Sequence, residues 1–168
     1  AETNGLGQTW MIYDTAALQQ MYGANYGTRA GNTVYSWNPN TGQALANGQP
    51  WLPQPAANRI LENVWDGGGI DTFDFSNYTT NVTVDIRPGG WSTPSPTQLP
   101  IANTEAAGGP VKAVGSISVS FLVNNDPRSL IENVTTGSGN DSIVGNQARN
   151  VITPGAGRDS VDGADGLD

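Results

Sequence analysis

The sequence predicts an all-β fold: a β-strand-rich sandwich or β-roll that carries a short parallel β-roll of nine-residue repeats, with one short N-terminal helix. Three observations support this. Residues 136–168 divide into T-G-S-G-N-D-S-I-V, G-N-Q-A-R-N-V-I-T, P-G-A-G-R-D-S-V-D and the partial unit G-A-D-G-L-D. In that register Asp141, Asn150, Asp159 and Asp168 recur at one position, and Ile143, Ile152 and Val161 two residues later. The chain holds 22 Gly and 11 Pro in 168 residues, a composition of many turns and few long helices. Upstream, short apolar runs with period-two alternation stand between turn residues, which is strand texture.

Taken in order, residues 1–26 form a lead-in and a helix. Asp14 can cap a helix over 15–22, because its carboxylate accepts first-turn N–H groups, and Gly23 can end it in a left-handed conformation. Leu18, Met21 and Tyr22 then share one apolar face, packed either on this chain or on a neighbouring domain. Residues 27–135 form a β-rich domain with strands expected at 33–37, 71–75, 82–86 and 116–123. Within it, residues 88–128 include a Pro/Gly/Ser-rich excursion, either a binding loop or a tolerated insertion. All five Trp, five Tyr and three Phe lie at or before Phe121, so the aromatic core precedes the repeats.

The repeat tail, 136–168, has only Ile and Val to bury. Each contributes about 1.5–3 kcal/mol, against roughly 1–2 kcal/mol of backbone entropy for every residue ordered. Such a tail needs a ligand to fold, unless it is a disordered Gly/Asp linker. Its pattern, G-G-x-G-x-D-x-U-x, is that of calcium-binding RTX repeats. Two units make one coil, so Asp141 stacks with Asp159 and Asn150 with Asp168. A calcium ion takes six or more oxygens, which two carboxylates and four turn carbonyls supply. One site is expected from Gly137, Gly139 and Asp141 with Pro154, Ala156 and Asp159. A second is expected from Asn146, Ala148 and Asn150 with Gly163, Asp165 and Asp168, and it is weaker because Asn150 is neutral.

Composition excludes several classes of function. The net charge is -8 and the seven basic residues are scattered singly, so no basic stripe exists for nucleic acid. No run of about 18 apolar residues is present to span a membrane. With no Cys and no His, disulfides, thiolate or imidazole metal ligands and Ser-His-Asp catalysis are all absent, which leaves oxygen-ligated calcium or magnesium. The N-terminus lacks the basic and apolar regions of a secretory leader. A removed leader, another export route and a piece of a longer chain all remain open.

The stretches M-I-Y-D-T-A-A-L-Q-Q-M-Y-G-A-N (11–25), T-R-A-G-N-T-V-Y (28–35), V-W-D-G-G-G-I-D-T-F-D-F-S (64–76) and I-E-N-V-T-T-G-S-G-N-D (131–141) together resemble the C-terminal region of the serralysins. These are secreted bacterial metalloproteases of the peptidase M10 type. The resemblance implies an upstream calcium site from carbonyls of Arg29, Gly31 and Gly68, a ligand from Thr33, and the carboxylates of Asp66 and Asp71. It implies a neighbouring site in which Gly69 and Asp71 are shared with Leu130 and Glu132. Independently, D-G-G-G-I-D puts two carboxylates around a glycine turn, which can wrap one cation or simply precede a strand. Asn32 stands where the family usually has Asp.

The family's zinc-binding H-E-x-x-H helix cannot come from a chain without His. The expected function is therefore a non-catalytic, extracellular calcium-binding module, exported by the bacterial type I route and folded by calcium. A parent protease domain is a possible partner. Two alternatives are a carbohydrate-binding or adhesive module using Trp51 and Trp91, and calcium-triggered self-cleavage at Asp126-Pro127.

Overall fold

The computed structural model describes residues 5–166 and 168. Among them it is mostly short strands with a single α-helix, α1 (Ile12–Tyr22), and one 3-10 turn at Pro127–Ser129. The strands are β1 (Val34–Trp37), β2 (Ala44–Ala46), β3 (Gln49–Pro50), β4 (Glu62–Val64), β5 (Thr72–Asp74), β6 (Thr83–Asp85), β7 (Trp91–Ser92), β8 (Ile101–Asn103), β9 (Val111–Lys112), β10 (Ile117–Val119), β11 (Asn133–Thr135), β12 (Ser142–Val144), β13 (Val151–Thr153) and β14 (Ser160–Asp162). The four strands expected from alternation are all present, each trimmed at its ends.

The sheets are mixed. A six-stranded sheet runs in the order β13-β11-β5-β1-β2-β3, and a three-stranded sheet runs β14-β12-β6. Within them, β1, β5, β11 and β13 are mutually parallel, as are β6, β12 and β14. Val134 lies level with Phe73 and Ile152, and Ile143 with Val84 and Val161. The middle position of each three-residue strand thus aims an apolar side chain at one shared interior, where Phe73, Val84, Val134 and Ile143 are buried. Ile152 is only half-buried and Val161 is exposed, so burial fades toward the last repeats.

The aromatic body lies beneath. Trp37 stacks on Phe75 with ring centroids 5.1 Å apart and meets Phe73 edge-on at 5.3 Å. Strand β10, from inside the 88–128 stretch, is the centre of a third sheet, β4-β10-β7, and Ile117 and Val119 are buried in the core. Gln98, also from that stretch, is fully buried: Tyr78 donates to its Oε1 at 2.9 Å, and its Nε2 donates to Asn38 O and Asn58 Oδ1. The excursion is therefore built into the body, and only its β8-β9 hairpin pairs with no other sheet.

The helix differs from expectation at its start. It begins at Ile12 with Met11 as N-cap, so Asp14 sits inside the first turn and reaches back to accept from Met11 N–H at 3.1 Å. A carboxylate in the first turn still complements the helix dipole, which is why Asp14 signalled a helix start three residues late. Gly23 ends the helix at φ 83°. Only Ile12 of this helix is buried, while Tyr13, Met21 and Tyr22 are exposed.

One core group carries a cost. Glu62, on β4, is 1 % exposed and accepts from Trp37 Nε1 at 3.0 Å. Burial pushes its carboxyl up to about 7 against the opposing pull of that hydrogen bond. A carboxyl with a raised folded pKa holds its proton longer in the folded state, so stability is highest below the unfolded value of about 4.5 and falls as pH rises to about 7. The loss amounts to about 3 kcal/mol. Glu62→Gln is expected to flatten that slope, read as urea midpoints across this pH window; an unchanged slope would place the titration elsewhere.

Candidate metal centre

Two vertical ladders of side-chain-to-backbone hydrogen bonds run through the parallel strands. On one side Asp71 Oδ1 accepts from Thr33 N at 2.8 Å, Glu132 Oε2 from Asp71 N at 2.7 Å, and Asp168 Oδ1 from Asn150 N at 2.6 Å. Asn150 Nδ2 joins the ladder by donating to Glu132 O at 2.8 Å. On the other side Asp141 Oδ1 accepts from Val82 N at 2.7 Å, and Asp159 Oδ1 from Asp141 N at 2.9 Å. Each acidic side chain therefore reaches down one level and caps the N–H that precedes the strand below. One carboxylate oxygen is used in this way and the second is left.

The second oxygens are the informative atoms. Asp71 Oδ2 and Asp141 Oδ2 are buried and have no hydrogen-bond partner. Asp71 is wholly buried and Asp141 nearly so. Burying a carboxylate oxygen without a partner is expensive, and such groups are normally paired or bound to a metal.

Around Asp71 the upstream residues converge. Asp66 is buried, with Oδ1 accepting from Gly68 N and Oδ2 from Tyr35 Oη at 2.6 Å. Thr33 Oγ1 donates to Gly31 O at 3.0 Å. A Cβ built on Gly69 would lie 2.9 Å from Gly31 O, and one on Gly67 2.6 Å from Thr28 O, so the 28–32 and 67–69 turns touch backbone to backbone. Burial first, then the neighbouring Asp66 and Glu132 charges, push the Asp71 carboxyl up to about 7 against the Thr33 hydrogen bond. Burial also raises Glu132. Leu130 is buried and ends the 3-10 turn that brings the chain to Glu132. Arg29, Gly31, Thr33, Asp66, Gly68, Gly69, Asp71, Leu130 and Glu132 are thus supplied by three segments that meet below β11.

In the repeats the turns stack carbonyl onto glycine. A Cβ on Gly137 would lie 1.8 Å from Tyr78 O, one on Gly155 1.9 Å from Gly137 O, and one on Gly157 1.9 Å from Gly139 O. Pro154 O accepts from Thr136 Oγ1 at 2.8 Å, and Ala156 N donates to Gly137 O at 2.9 Å. The first expected set is therefore brought together in two adjacent turns. In the second set the Asn146 side chain turns inward, its Nδ2 donating to Ile86 O and Ile131 O, and its backbone N–H donates to Asn150 Oδ1. Its backbone remains beside Ala148 and Asn150. Gly163 and Gly166 face the Asp168 carboxylate, while Asp165 and Asp168 are exposed. Among the described residues no three acidic side chains gather tightly enough to hold an ion by themselves, so a cation here depends on turn carbonyls.

Residues invoked for other functions are otherwise engaged. The Arg29 guanidinium covers one Trp51 ring face at 4.6 Å, and Trp91 lies in β7 against Gly115. Asp126 caps the 3-10 turn and pairs with Arg128, which holds its carboxyl below the usual range.

Parallel strands joined by tight glycine turns, with acidic side chains laddered along both edges, place the chain among strand-rich proteins with oxygen-lined turns. Residues 24–95 match the family described as peptidase M10 serralysin C terminal, so the chain is similar to the C-terminal region of the serralysins. It is 40% identical over 142 residues to metallopeptidase AprA of Pseudomonas marginalis, a match covering 84% of this chain and 24% of the relative. It is 36% identical over 140 residues to serralysin G of Dickeya chrysanthemi (83% and 24%) and 34% over 142 to serralysin of Proteus mirabilis (84% and 23%). The chain thus spans about a quarter of the length of the curated relatives it matches.

Two features escaped sequence reasoning. The turn over 76–82 is a level of the same stack, placed directly beneath 136–141, but its span conceals the register. Thr72 to Thr83 is eleven residues, whereas Asn133 to Ser142, Ser142 to Val151 and Val151 to Ser160 are nine each. The inward Asn146 had no signal beyond its place in the repeat. The close turn stacking predicts that Gly137→Ala costs about 1–3 kcal/mol or more, because the obstruction is backbone. Gly108→Ala, with nothing within 4 Å, stays within about 0.5 kcal/mol of the parent. Urea melts of the two variants give the comparison.

Proposed function

We propose that this chain is a non-catalytic calcium-binding module of a secreted serralysin-like protein, whose repeat region closes into a β-roll when calcium enters its turns. The observation that carries the reading is the pair of buried, partnerless oxygens, Asp71 Oδ2 and Asp141 Oδ2. Each belongs to an aspartate that follows a glycine-rich turn in sequence, and carboxylate and carbonyl oxygens suit a hard divalent cation. Asp66, Asp71 and Glu132 would hold ions with the 29–33 and 68–69 turns and Leu130. Asp141 and Asp159 would hold one with the carbonyls of Gly137, Gly139, Pro154 and Ala156. Asn150 and Asp168 complete a weaker site.

The module's work is calcium-triggered folding outside the cell. At low cytoplasmic calcium the tail stays unfolded and suits export by the type I route, and at high external calcium it becomes rigid. Trp10, Tyr13 and Tyr22 are each more than 70 % exposed. Apolar surface of that kind fits a neighbouring domain, here a protease domain of a parent chain. Without His, this chain leaves zinc chemistry to that partner.

Calcium added to the chelated protein is expected to raise its thermal midpoint and β-type circular dichroism, with three to four ions bound. Ligand at a hundredfold excess over Kd adds about 2.7 kcal/mol per site. Asp71→Asn and Asp141→Asn keep the N–H cap but remove the charge, so each should lose at least one ion. A chelated and a calcium-loaded protein with identical spectra and midpoints would overturn the reading.

A further inference from the structure

We propose that Trp51 and Tyr35, acting through the Arg29 guanidinium, are positioning residues for the upstream cation site. This rests on the calcium reading above. Arg29 adopts φ 47°, a left-handed conformation in which a side chain is disfavoured, and nothing about the residue itself favours it. A strained residue persists only where its surroundings over-determine it.

The surroundings here hold the side chain from three directions. The guanidinium lies 4.6 Å above the Trp51 ring and 5.5 Å from that of Tyr35. Its Nε donates to Tyr35 Oη at 2.6 Å, and its Nη2 donates to Trp65 O at 3.0 Å. Tyr35 Oη in turn donates to Asp66 at 2.6 Å, so the clamp is tied to one of the two carboxylates. The backbone that this clamp fixes leads directly to Gly31, whose carbonyl touches the Gly69 turn. Trp51 reaches this place from the segment after β3, remote in sequence from every expected ligand. Its ring therefore contributes no oxygen to the ion and acts only by keeping the 29–31 turn in its binding shape.

The test uses the full chain, with calcium binding measured by calorimetry and thermal midpoints taken in chelator and in calcium. In Trp51→Leu one binding step should weaken by about tenfold or more while the others are unchanged, as supporting-shell changes at metal sites do. The calcium-induced rise in midpoint should shrink accordingly. Trp51→Phe, which keeps a ring face for the guanidinium, should restore much of the lost affinity. Arg29→Lys keeps the charge but loses the planar stack and the forked donors, and should resemble Trp51→Leu. If Trp51→Leu lowers both midpoints equally and leaves every binding step intact, or does not fold while Arg29→Lys binds as the parent does, the proposal is overturned. A parent chain that binds no calcium overturns the calcium reading first, and the two failures are thereby distinguished.

Discussion

The structure depends on one repeated contact, an acidic side chain capping the backbone N–H one level below it. That contact sets the spacing between levels, aligns the short strands, and buries one oxygen of each inner carboxylate beside its neighbour's backbone. It also creates a charge problem. Asp66, Asp71 and Glu132 lie close together in the body, and Asp141 and Asp159 close together in the repeats, with Arg29 wired into the upstream group through Tyr35. Stacking by carboxylates is self-limiting unless positive charge enters between levels, so the geometry that builds the ladder also creates the demand for a cation.

The aromatic body determines where that stacking can begin. Trp37, Phe73, Phe75 and Tyr78 form a continuous ring cluster, and Phe73 lies between Tyr35 and Val134 in the parallel stack. The first level therefore rests on large buried rings, the second on Val134 and Ile143, and the third on Ile152 and Val161, which are progressively less covered. Apolar burial decreases upward. Order in the upper levels has to come increasingly from the ladder and from whatever occupies the turns.

Much of this was legible in the sequence, for identifiable reasons. Asp141 and Asp159 could be placed in one column, and Asn150 and Asp168 in the other, because two nine-residue units make one coil, and Ile143 because the repeat marks its apolar position. The D-G-G-G-I-D turn could be placed before β5, which both readings of it required. The level at 76–82 could not be read, because two added residues break the register and Val82 stands where an acidic residue would mark the column. Nor could the burial of Gln98 and β10, since Pro and Gly punctuation around them looks the same whether a loop is free or folded back. Arg29, Tyr35 and Trp51 meet only through the fold, and no local pattern links them.

The two columns differ in charge, and this has a consequence for folding order. One column pairs buried Asp141 with half-buried Asp159, two carboxylates over glycine turns. The other pairs Asn150 with Asp168, and Asn150 is already satisfied on both sides of its amide, accepting from Asn146 N and donating to Glu132 O. An amide that supplies both donor and acceptor can hold its level without any ion, whereas a second carboxylate cannot. The Asn150 level is therefore held by its own amide, and under the calcium reading proposed above the Asp141–Asp159 gap is the one that takes a cation. On that proposal, ordering spreads upward from the aromatic body, with the Asp159 turn as its last calcium-dependent step before the exposed turn that carries Asp168.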